Sequence, residues 1–134
     1  MHSAVRLGSA EDIHTCHARS GRYLARLALI AHGQAAAPLP SGAATEVARA
    51  AGAVLAEAVT AGRAVAAGAP DDQRAKVAEF LAARLTRLTA AAEDAVTAAR
   101  DGDTAALRRA LHRFDALVAA LWAVHRAIAR SAAS

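Results

Sequence analysis

His14, Thr15, Cys16 and His17 stand in a row near the start of the chain, and His125 stands near its end. A thiolate and two imidazoles are a donor set for zinc or copper, and imidazole or thiolate can hold a haem iron. The run follows no established ligand spacing, neither Cys-x-x-Cys nor His-Glu-x-x-His, so the set works only if the fold assembles it. The plainer account makes His125 a core histidine satisfied by a carbonyl or a water, and Cys16 a small buried hydrophobe. We therefore expect no cofactor, and take His14, Cys16, His17 and His125 as the candidate ligands of a metal- or haem-binding alternative.

Other chemistry finds less support in the sequence. Glu11 and His14 have the Glu-x-x-His spacing of di-iron bundles, but that site needs a second copy and two more inward glutamates. Glu46 and Glu57 fall off the apolar stripe of their segment, so they do not supply them. No glycine-rich phosphate loop precedes a helix, and no pair of buried carboxylates offers itself for acid–base work. Arg108, Arg109 and Arg113, with His112, form a basic cluster, and Arg19, Arg22 and Arg26 form another. Phosphate binding wants such stripes. Glu79, Glu93, Asp94 and Asp115 interrupt them, and exposed aromatics for base stacking are missing. A solvated face is the expectation, with nucleic-acid binding as a further alternative.

Composition limits the field. The net charge of +4 rests on 16 basic residues, of which Lys76 is the single lysine, and alanine dominates the rest. That bias suits helices, and it is also what a GC-rich coding sequence writes. One cysteine excludes an intramolecular disulfide and fits a reducing compartment. The longest apolar run, Ala116 to Val124, is shorter than a membrane span, and the first residues have no signal-peptide core. The expected location is the cytoplasm, with no membrane partner.

The elements that must position these residues follow from spacing. Residues 1–8 read as a flexible leader and 9–131 as one domain. A helix is expected over 9–33, with Ile13, Cys16, Ser20, Tyr23, Leu24, Leu27, Ile30 and Ala31 inward and Leu29 directed away. Pro38 and Pro40 break it, Ser41 is placed to cap, and a second helix over 42–68 turns Val47, Ala51, Val54, Leu55, Ala58, Val59, Gly62 and Val65 inward. Gly52 and Gly62 are expected where a neighbouring backbone comes close. A third helix over 71–101, opened by Asp71 and Asp72, presents Val77, Phe80, Leu81, Leu85, Leu88, Ala92, Ala95, Val96 and Ala99. Gly102 closes it and Asp103 caps a fourth over 103–131, striped by Leu107, Leu111, Phe114, Leu117, Val118, Leu121, Val124 and Ile128.

Four similar helices on short connectors give an all-α, antiparallel up-down-up-down four-helix bundle. Pairing residues across each turn puts Cys16, His17, Val59, Phe80 and His125 in one layer near the open end, within about one turn of 5.4 Å. Cys16 and His125 are expected within side-chain reach of each other. The functional expectation is a non-enzymatic protein acting by protein–protein contact, with a protein partner or a second copy of itself. Leu29 and Trp122, off or beside their stripes, are its anchors.

Overall fold

The computed structural model describes residues 10–33, 39 and 41–133. The leader 1–8, the capping residue Ser9 and the breakers Pro38 and Pro40 lie outside the described residues. Four helices fill nearly all of the rest: α1 (Ala10–Gly33), α2 (Ala43–Gly68), α3 (Arg74–Arg100) and α4 (Thr104–Ala133). No strand occurs among the described residues.

Cross-helix pairs set the directions. Arg19 pairs with Glu57 and Arg26 with Glu46, so α1 ascends as α2 descends. His17 meets His125 while Arg108 reaches the Ala31 carbonyl, so α4 also runs against α1. Gly62 faces Leu81, whereas Ala51 and Gly52 share a groove with Ala92 and Val96, which makes α2 and α3 antiparallel. Each helix is next to its successor, and α1 closes the ring against α4.

The turn between α3 and α4 shows local chemistry acting as the residue types dictate. Gly102 takes the left-handed φ of 69°. Its N–H and that of Asp103 donate back to the carbonyls of Ala99 and Ala98, at 3.2 and 3.0 Å, closing a Schellman motif. Asp103 then caps α4, accepting from the Ala106 N–H at 3.0 Å. Three residues thus end one helix and start the next.

The starts of α2 and α3 depart from expectation. α2 begins after Gly42, and no side chain caps it; Ser41 is exposed and makes no cap. α3 begins three residues late, at Arg74, after a turn in which the Gln73 N–H donates to the Pro70 carbonyl at 2.8 Å. Asp71 sits before the helix and pairs with Arg74 at 3.0 Å instead of filling the first turn.

The core is a set of stripes built from small residues. Val47, Ala51, Val54, Ala58, Ala61 and Val65 of α2 meet Ile13 and Leu27 of α1, Leu81, Leu88 and Ala95 of α3, and Leu107, Phe114 and Val118 of α4. Each of the large side chains contributes roughly 1.5–3 kcal/mol by leaving water. Two expectations fail here. Phe80 is 42% exposed, because α3 rotates to centre its stripe on Leu81, Leu88 and Ala95, and the Arg84 guanidinium covers its ring at 3.6 Å. Gly52 is exposed, and a Cβ added there would meet nothing within 4 Å, so no backbone approaches it. At Gly62 a Cβ would lie 3.9 Å from Leu81, an ordinary contact.

α2 also corrects the reading of membrane potential made from uninterrupted runs. Averaged over 18 residues its mean hydropathy is 1.3, which makes it long and apolar enough to cross a membrane by length and composition. Alanine supplies that average. In this fold the valine stripe of α2 packs against the other helices, and about a third of the apolar window is buried (33%).

Candidate functional site at the seam of α1 and α4

His17 sits on the flank of the α1 stripe, and Trp122 and His125 lie three residues apart on α4, one turn above the other. That spacing stacks them along one face of α4, opposite the flank of α1. The rings form a layered cluster: His17 lies on Trp122 with centroids 4.2 Å apart and planes within 12°. His125 lies 5.3 Å from His17 and 5.5 Å from Trp122. His17 Nε2 and His125 Nδ1 are 3.0 Å apart, a hydrogen bond in which one imidazole donates and the other accepts.

Both imidazoles are held neutral. Burial pushes His17 down from 6.5 to about 4, with help from the nearby Arg126 and His14. Burial pushes His125 down to about 4 as well, with His17 and Arg126 adding to it. His125 has no accessible surface, and its Nε2 is buried without a hydrogen-bond partner. Whichever tautomer it adopts, that nitrogen is a donor or an acceptor with nothing to meet, at a cost of roughly 1–3 kcal/mol.

Cys16 is close in sequence and remote in orientation. One residue of helix turns it about 100° from His17, toward α2. There it lies 3.8 Å from Arg19 Nη2, and Arg19 in turn grips Glu57 by Nε and Nη2 at 2.9 and 3.0 Å. Burial first, and then the Glu57 carboxylate, raises the Cys16 thiol above its ordinary value. It is a protonated thiol, poorly suited to ligation or nucleophilic attack. His125 is hydrogen-bonded to His17, at the level of the bundle where Cys16 and His125 were expected within reach of each other. His14 is exposed. Among the described residues no three of His, Cys, Asp and Glu are grouped to hold an ion. Two imidazole nitrogens are what the layer offers a metal.

The candidate interaction residues divide. Leu29 is 70% exposed on the outside of α1. Trp122 was expected as a surface anchor, yet it is only 8% exposed, because α4 turns it toward α1 and His17 occupies its face. Arg108 is half-buried and donates from Nε to the Ala31 carbonyl at 3.3 Å, closing the far end of the same seam. Arg109 and Arg113 are exposed, beside an edge-on contact of His112 with His32. On α1, Arg19 and Arg26 are engaged by Glu57 and Glu46, which leaves less of the basic stripe for phosphates. Trp122 is the site residue that the sequence reading misplaced. Its position one turn before the stripe-centred His125 was the available signal.

The fold and site together define a four-helix bundle whose first and last helices are joined by a neutral imidazole pair stacked on tryptophan. Comparisons with family models, with curated proteins and with solved structures find no match.

Proposed function

We propose that this is a non-enzymatic protein that works through protein–protein contact, beginning with self-association. The observation that carries this is Leu29, 70% exposed on the outer face of α1. Gly21, Ala25 and Leu29 form one ridge at four-residue spacing, all three exposed. A Cβ at Gly21 would meet nothing within 4 Å, so the ridge has a knob at one end and an open notch at the other. Two copies crossing at Ala25 in opposite directions set each Leu29 over the other's Gly21. That is the self-complementarity a two-fold interface requires. A single helix seam buries less than the roughly 1,200 Å² of stable complexes, so the association is weak and reversible. The lone reduced thiol of Cys16 suits a cytoplasmic setting.

Sedimentation equilibrium across roughly 1–500 µM tests this, that range spanning weak association. Dimer formation in the upper range is expected, with Leu29→Glu and Gly21→Leu both returning a monomer and Arg109→Ala leaving the dimer intact. A strict monomer throughout would remove the proposal.

A further inference from the structure

Behind the imidazole pair, on the far side of His125 from α1, a groove of about 180 Å³ runs between α2 and α3 with α4 as its floor. Its walls are small and apolar: Ala58, Gly62 and Ala66 on one side, Leu81 and Leu85 on the other, with Leu121 and His125 below and Arg63 at hand. We propose that this groove binds a small neutral molecule with a compact apolar body and one hydroxyl group, which hydrogen-bonds His125 Nε2.

Three observations converge on that ligand. The volume matches a substituted benzene, since apolar cavities of about 150 Å³ accept benzene. It is far too small for a haem macrocycle, which removes the haem alternative from this side of His125. The polar requirement is a single atom: His125 Nδ1 is committed to His17, and Nε2 is buried without a partner. A hydroxyl both donates and accepts, so it satisfies Nε2 in either tautomer, whereas a carbonyl or an ammonium satisfies only one. Neutrality follows from walls that are apolar apart from the exposed Arg63, and from an imidazole that burial keeps unprotonated.

His125 lines the groove yet has no accessible surface, so a neighbouring side chain must rotate before a hydroxyl can reach Nε2. Gly62 sets the width. A larger side chain there points at Leu81, 3.9 Å from the first added carbon, and fills the groove.

The probes are phenol, toluene and benzoate, titrated into the full-length protein while the ¹⁵N resonances of the His125 ring are followed. Phenol is expected to saturate a shift of the Nε2 signal and to bind about tenfold tighter than toluene, the worth of one hydrogen bond to a buried, otherwise unpaired group. Benzoate is expected to bind more weakly than phenol. His125→Leu should level phenol with toluene, and Gly62→Leu, with an unchanged circular dichroism spectrum, should abolish binding of both. Equal affinities for phenol and toluene in the wild type would overturn the proposal. So would an Nε2 signal that does not saturate, which means that Nε2 meets only water. Benzoate binding tighter than phenol would overturn it as well, transferring recognition to Arg63.

Discussion

His17 and His125 spend stability to stay neutral and buried, and acid exposes that expense. Both are pushed down from 6.5 to about 4, so as pH falls below 6.5 the unfolded chain takes up protons before the folded one does. Stability is fully present above 6.5, declines from there to about 4, and levels off below. Melting temperatures measured at close pH intervals should fall across that window, and His17→Gln should flatten the fall. A melting temperature constant from pH 7 to 5 would contradict the assignment. Glu57 is distinguishable because Arg19 lowers its carboxyl, which places its own loss of stability below the usual carboxylate range. Replacing the orphaned group itself is the complementary test: His125→Leu should be neutral or stabilising, since it removes a buried atom with no partner. A loss of more than about 2 kcal/mol would show that the His17 bond outweighs the orphan.

At the scale of elements, the turn from α3 to α4 bears the sharpest local constraints. Gly102 holds a φ of 69°, so Gly102→Ala is expected to cost about 1–2 kcal/mol, and Asp103→Ala about 1 kcal/mol through the lost cap on Ala106. Gly52 should behave in the opposite way. It lies exposed inside α2 with open space around it, and Gly52→Ala is expected to stabilise by roughly 0.5–1 kcal/mol. Urea denaturation of the three variants orders them, and a destabilised Gly52→Ala would mean that something packs on that face. Gly52 and Gly62 looked alike as sequence. Their difference arises from the rotation of α2 about its own axis, which neighbouring helices set.

For the whole molecule, the arrangement of charge decides how the arginines behave. Two of the three α1 arginines in the basic stripe are tied across the α1–α2 seam, and Arg108 is tied across the α1–α4 seam. Duplex DNA is therefore expected to show no shift at about 50 mM salt, conditions in which a protein making several phosphate contacts binds readily. A steep salt dependence, reduced by about one unit in Arg109→Ala, would restore the nucleic-acid alternative. The imidazole pair likewise supplies only two ligands, so elemental analysis of purified protein is expected to find no stoichiometric zinc.

Helical period and punctuation determined most of the architecture from sequence alone. The stripe through Ile13, Cys16, Ser20 and Leu27, the one through Leu107, Phe114 and Leu121, and the Gly102–Asp103 turn are all where spacing and residue type put them. These are properties of single helices and their ends, written within a few residues of sequence. The level of the His125 layer was also legible, because turn positions and rise per residue fix height in a bundle. Rotation is what the sequence left open. Residues on a stripe's flank turn inward or outward by a few tens of degrees, according to how neighbouring helices pack, and in an alanine-rich chain no bulky residue dictates that choice. Thus His17 hydrogen-bonds His125 while Cys16 turns toward Arg19; Trp122 goes in; and Phe80 stays out. The packing of four helices decided those three positions, and with them where the unpaired nitrogen of His125 came to lie.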